Sequence, residues 1–287
     1  MSDKHIDKVS GVETTGHEWD GIRELNNPMP RWWVWTFYAT IVWAIGYTIA
    51  FPAWPLISGA THGVLGWSSR ASVATEMADA KAAQNTYLEK IASSSLQDIQ
   101  TNSELMQFAV AGGAAAFKVN CVQCHGSGAE GGNGYPNLND DDWLWGGKAE
   151  DIYTTITHGI RFTEDSETRI SEMPAFDDVL KSEEIRAVAA YVVSLTGTPH
   201  DPVLIEPGKQ IFADNCASCH GADAKGNRDM GAPNLADAIW LKARGEEGIV
   251  AQIRAPKHGV MPAWGERLGD TTVKQLALFV HSLGGGE

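Results

Sequence analysis

The chain has 287 residues, 36 of them acidic and 22 basic, for a formal charge of −14 at pH 7. That length exceeds one ordinary domain. The acidic excess argues against nucleic acid as a partner, because phosphates demand basic surfaces, and leaves a basic protein as the complementary partner.

Residues 1–31 form a polar N-terminal segment. From Trp32 to Phe51 follows an uncharged run rich in Trp, Ile and Ala, bounded by Pro30-Arg31 and Pro52. As a helix rising about 1.5 Å per residue it would cover the ~30 Å hydrocarbon core. Trp32, Trp33 and Trp35 at one end and Trp54 at the other stand where an aromatic belt belongs. A cleaved signal peptide fits less well, since the run lies behind a long polar stretch and ends without a small-residue cleavage site. The reading is one uncleaved transmembrane anchor over residues 32–56, in contact with lipid. Lys4, Lys8, Arg23 and Arg31 precede it and Arg70 alone follows closely. The N-terminus is therefore expected in the cytoplasm.

Residues 57–104 read as a periplasmic connector. Between Ala71 and Phe108, Met77, Leu88, Ile91, Leu96, Ile99 and Leu105 recur at helical spacing, with a possible break at Ser93-Ser94-Ser95. Two related stretches complete the chain, a first domain over 105–197 and a second over 198–287. Gly113, Phe117 and Asn120 match Gly208, Phe212 and Asn215. Pro136-Asn137-Leu138 matches Pro233-Asn234-Leu235, Trp143 matches Trp240, and Ile152/Ile156 match Ile249/Ile253. Met173-Pro174-Ala175-Phe176 matches Met261-Pro262-Ala263-Trp264, and each copy closes with an amphipathic helix, Ile185 to Leu195 and Val273 to Leu283. Such self-similarity points to two copies of one small domain. Thr196 to Glu206, with Pro199 and Pro202, is the link between them.

All four cysteines fall within this repeat, in Cys121-Val122-Gln123-Cys124-His125 and Cys216-Ala217-Ser218-Cys219-His220. Two thiols at this spacing can add to the two vinyl groups of one porphyrin, and the next imidazole then lies beneath the iron. The motifs therefore predict two covalently bound haem c groups, with His125 and His220 as iron ligands. A shared zinc site would have to join distant repeats, unlike the compact ligand sets of zinc ribbons. A thioredoxin-like dithiol would need a βαβ pattern that neither copy has.

Both copies resemble class I cytochrome c domains, in which a methionine before the last helix completes the iron coordination. That resemblance implies Met173 as the second ligand of haem one and Met261 as that of haem two. It also assigns the carbonyls of Pro136 and Pro233 to orient His125 and His220. The first copy departs by about a dozen extra residues, Ile160 to Glu172, a thermodynamically cheap surface insertion. His158 and His258 are expected to be polar loop residues, and Met106 and Met230 to be packing or surface residues. The fold expected is mainly α: one N-terminal transmembrane helix followed by two tandem class I cytochrome c domains.

Glu24-Leu25-Asn26-Asn27-Pro28-Met29-Pro30-Arg31-Trp32-Trp33, just before a single span and two such domains, resembles the CcoP/FixP dihaem subunit of bacterial cbb3-type cytochrome c oxidases. The resemblance runs from about Gly21 to the end. It implies an inner-membrane complex whose haem-copper subunit reduces oxygen, a donor cytochrome c, and a monohaem cytochrome c subunit that receives electrons from this chain. The chain itself is then a non-catalytic relay with no catalytic residue. Two other readings need different iron chemistry or different partners. A dihaem peroxidase or a gas sensor would require an open iron site, which a methionine at each iron would close. A membrane-anchored carrier serving another reductase or dehydrogenase would differ only in the company it keeps.

Overall fold

The computed structural model describes residues 5–197, 200–237 and 239–287. Lys4 and Pro199, both invoked above, lie outside them. The chain divides into two compact units, Met1–Ala83 and Gln84–Glu287.

The first unit opens with an antiparallel hairpin, β1 (Thr14–Trp19) and β2 (Ile22–Leu25), in which Trp19 pairs with Ile22. Asp20 and Gly21 make its two-residue turn with φ of 47° and 81°. Asp-Gly is the sequence signature of such a turn, so this hairpin was detectable in a segment read only as polar. Helix α1 spans Arg31–Ala50, starting beside Pro30, and none of its residues is buried by the rest of the chain. An apolar helix of 20 residues, none of them buried among the described residues, is long and apolar enough to cross a membrane. A second small hairpin, β3 (Pro55–Leu56) and β4 (Gly59–Ala60), follows it.

Helix α2 (Ser69–Ser93) begins in the first unit and ends in the second. The expected break falls at Ser94-Ser95, where the Ser95 hydroxyl accepts the Asp98 N–H and starts α3 (Leu96–Thr101). Asn102 does the same for α4 (Ser103–Asn120), accepting from the Leu105 N–H at 3.1 Å. Ile91, Leu96, Ile99, Leu105 and Ala109 bury one face of this connector together with Leu278 from the last helix of the chain. Lys274 of that helix also donates to the carbonyls of Ala92 and Ser94, closing the C-terminal end of α2.

The remaining helices are α5 (Val122–His125), α6 (Ala149–His158), α7 (Ser182–Leu195), α8 (Ile205–Asn215), α9 (Ala217–His220), α10 (Gly245–Arg254), α11 (Gly265–Leu268) and α12 (Asp270–His281). They pack as two modules that do not coincide with the two sequence copies. In module one Phe117 of α4 and Ile152 and Ile156 of α6 share a core with Val273, Leu276, Ala277 and Val280 of α12. In module two Ile185, Val188, Val192 and Val193 of α7 share a core with Phe212 of α8 and Ile249 and Ile253 of α10. Each closing helix thus serves the haem-motif helix of the other copy.

The two interfaces are near replicas. A β-carbon on Gly113 would overlap the Gln275 carbonyl of α12, and one on Gly208 would overlap the Ala187 carbonyl of α7. Glycine is what lets each pair of backbones approach so closely. Phe117 meets Phe279 with ring centroids 5.4 Å apart, and Phe212 meets Tyr191 at the same separation. The stretches 105–197 and 198–287 are the units of the sequence repeat, whereas the packed modules exchange their last helices. The connections supply the physical reason. Residues 196–204, of which Pro202–Leu204 form a 3-10 turn, separate α7 from α8, and helices joined by a short connection pack as neighbours. Residues 160–172 and 255–260 carry the chain between the modules.

Candidate functional site

Each histidine sits at the end of a single helical turn. In module one the chain leaves α4 at Cys121, whose carbonyl accepts from the Cys124 N–H at 3.1 Å and the His125 N–H at 2.9 Å. This turn puts both thiols and the imidazole on one short stretch, and Gly126 at φ 82° ends it. Module two repeats the geometry, the Cys216 carbonyl accepting from Cys219 at 3.1 Å and from His220 at 3.0 Å. All four thiols are free, and burial pushes Cys121 and Cys216 up to about 11.

The imidazoles are oriented by the carbonyls anticipated for that role. His125 Nδ1 lies 3.2 Å from the Pro136 oxygen and His220 Nδ1 lies 3.1 Å from the Pro233 oxygen. A carbonyl can only accept, so each Nδ1 carries the proton and each Nε2 keeps its lone pair for a metal. Burial lowers both histidine pKa values, and the carbonyl bonds oppose it more weakly. Neutral imidazole, the ligating form, is thereby favoured.

A cavity opens beside His125, lined by Phe117, Leu138, Ile152, Ile156, Leu276 and Met261. Met261 belongs to the second sequence copy. Its backbone is fastened to the first, exchanging hydrogen bonds with Ile160 at 2.9 and 3.0 Å, while the Trp264 N–H donates to the Ile156 carbonyl. Met173 packs instead in module two, in the cluster that includes Cys216, Leu235 and Trp240, and the Phe176 N–H donates to the Ile253 carbonyl. The methionine loops thus travel with the exchanged helices, which places Met261 at the cavity of His125 and Met173 in the module of His220, whereas the resemblance pairs Met173 with His125 and Met261 with His220. A neutral imidazole, a thioether and a pair of thiols around an apolar cavity suit a covalently attached haem.

His158 stands apart from this chemistry. Its Nδ1 lies 3.1 Å from Asp165 and its Nε2 lies 3.3 Å from Glu167, so both nitrogens are engaged by the insertion. Asp142 lines the His125 cavity, and its carboxyl is pushed up to about 6, first by burial and then by the nearby Asp237 and Asp140. Composition marked neither residue. The run Asp140-Asp141-Asp142 was a visible signal, but its approach to Asp237 of the other module is tertiary.

Comparison with known families places the chain. Residues 11–58 match the N-terminal domain of the cbb3 cytochrome oxidase FixP, and residues 108–192 and 204–280 each match cbb3-type cytochrome c oxidase subunit III. The chain belongs to the FixP/CcoP family of cbb3-type cytochrome c oxidase subunits. It is 70% identical over 284 residues to the oxidase subunit FixP of Rhizobium meliloti (strain 1021), covering 99% of this chain and 98% of that one. It is 67% identical to FixPc of Rhizobium leguminosarum bv. viciae over the full length of both. With CcoP of Cereibacter sphaeroides it shares 54% identity over 96% of this chain and 95% of the other. The FixP N-terminal match covers the β1–β2 hairpin and α1, and the paired matches coincide with the two sequence copies. Members of this family are cytochrome c subunits of the oxidase electron-transfer chain, and haem c is the group that cytochrome c domains bind.

Proposed function

We propose that this chain is the membrane-anchored, dihaem electron relay of a cbb3-type oxidase. It takes electrons from a donor cytochrome c and passes them towards the monohaem and haem-copper subunits, where oxygen is reduced. The observation that carries the reading is the placement of a carbonyl-oriented imidazole and a methionine around one apolar cavity, a closed ligand set suited to electron transfer.

In this reading Cys121 and Cys124 attach the first haem, with His125 and Met261 at its iron. Cys216 and Cys219 attach the second, with His220 and Met173. Bound haem supplies a one-electron couple, whose potential a Met/His pair raises. The rest is the protein's contribution. Pro136 and Pro233 fix the tautomer and basicity of the histidines, and the apolar walls exclude water. Helix α1 holds the haem modules at the inner membrane. Lys8, Arg23 and Arg31 before it, against Arg70 after it, support a cytoplasmic N-terminus and periplasmic modules.

Purification in mild detergent tests the reading. Two haems per chain, low-spin spectra with methionine-to-iron charge transfer, and co-purifying oxidase subunits are expected. One haem per chain, or stoichiometric carbon monoxide binding to this subunit, would overturn it.

A further inference from the structure

Trp145 occupies a position that the relay reading leaves unused. Its ring helps to line the His125 cavity, yet the same ring reaches into module two. A β-carbon at Gly231 would overlap Cε2 and Cζ2 of the Trp145 indole. Gly231 lacks that carbon, and at φ 59° it presents bare backbone to the aromatic face. Two residues on stands Pro233, whose carbonyl receives the Nδ1 proton of His220. A packed and bonded route therefore runs from the first cavity through the indole, Gly231, Ala232 and the Pro233 carbonyl to the second imidazole. Arg169 fixes the ring from outside, its guanidinium 5.3 Å from the indole centroid and its Nη1 donating to the Trp145 carbonyl at 2.7 Å.

The repeat supplies an internal comparison. By the Trp143/Trp240 and Pro136/Pro233 correspondences, Trp145 is matched by Lys242 and Gly231 by Gly134. On that side Gly134 donates its N–H to the Leu241 carbonyl at 2.8 Å, and Lys242 sends its ammonium to the Lys257 carbonyl. An aromatic bridge between the modules exists on one side of the pseudo-symmetric pair and is replaced by an aliphatic side chain on the other.

We infer that Trp145, seated on Gly231, is the positioning residue that couples electron transfer between the two haem sites. One electron leaves a ferrous iron in one module and reduces a ferric iron in the other, with no bond made or broken and no oxidation of the indole. Electron tunnelling decays more gently through contiguous packed and bonded atoms than across gaps, so filling the boundary with an indole raises the coupling. The inference rests on the two-haem reading above, and haem content is measured first so that the two can fail separately.

The test uses the full-length, haem-loaded protein. Relaxation of the half-reduced form after flash photoreduction reads the inter-haem rate, potentiometry reads both midpoint potentials, and the Soret circular-dichroism couplet reads the haem–haem geometry. Trp145→Leu is expected to slow the inter-haem step several-fold beyond what any shift of the midpoint potentials accounts for, with the couplet retained. Trp145→Phe, which keeps an aromatic ring, should recover most of the rate. Gly231→Ala keeps the indole but pushes it off the backbone, and should also slow the step, which preserves the test if Trp145→Leu fails to fold. An unchanged rate in Trp145→Leu or Gly231→Ala would overturn the inference, as would a slowing fully accounted for by shifted potentials or an altered couplet. A merely structural role would lower the melting temperature without separating Phe from Leu in the rate.

Discussion

The two haem modules contain the same parts in different chain order. Module two is continuous: Met173, α7, α8, α9 and α10 follow one another between residues 173 and 254. Module one is assembled from two distant pieces, α4 to α6 before that block and Met261 to α12 after it. Nearly identical interfaces, Gly113 against Gln275 and Gly208 against Ala187, are thus closed by a local connection in module two and, in module one, only after the chain has passed through the whole of module two. Packing chemistry sets which surfaces match, and connection length sets which copy supplies them.

The strongest way to break the comparison is truncation after Gly197. Independent tandem domains would leave the first copy folded. The exchanged arrangement removes α12 and Met261 from module one and orphans α7, so the product is expected to lose its cooperative melt and its methionine-ligated spectrum. A soluble, low-spin, single-haem product of normal stability would sink the exchange.

A sharper version keeps the chain whole. With Cys216 and Cys219 replaced by alanine, only the first haem is attached. Adding Met261→Ala should then make that haem bind carbon monoxide and lower its potential, whereas adding Met173→Ala should leave it low-spin. The reverse result would restore pairing within each copy.

The glycine contacts offer a graded test. Gly113→Ala and Gly208→Ala each force a methyl against a helix carbonyl, and each is expected to cost about 1–3 kcal/mol, the usual penalty of overpacking. Urea titration of the two variants should give similar losses despite their separation in sequence. A cost confined to one of them would show that the modules are not equivalent.

The smallest expected effect concerns Asp142, whose carboxyl is influenced by the charge of Asp237 of module two. Its folded-state pKa, about 6, stands above the ordinary value of 3.8. A carboxyl raised on folding favours the folded state only while protonated, so its ionisation disfavours folding as pH rises through about 6. Asp142→Asn should therefore raise the melting temperature slightly at pH 7 and lose that advantage as pH falls towards 4. The group is only half buried, so solvent screening keeps the shift small. A gain that grew on acidification would contradict the sign.

Much of this protein could be read in one dimension because its chemistry is local. The Cys-x-x-Cys-His turns, the apolar helix Arg31–Ala50 and the break at Ser94-Ser95 each depend on residues close together in the chain. The Asp20-Gly21 hairpin was equally local, and its turn signature stood in plain view. What the sequence could not specify was which closing helix and which methionine would complete which module. Because α7 and α12 carry the same pattern and α4 and α8 offer the same glycine and aromatic face, either pairing satisfies the same side-chain rules. Only the folded chain distinguishes them, through the turn that joins α7 to α8 and the segments 160–172 and 255–260 that cross between modules. The approach of Trp145 to Gly231 and the influence of Asp237 on Asp142 join residues far apart in the chain, and only the folded structure brings them together.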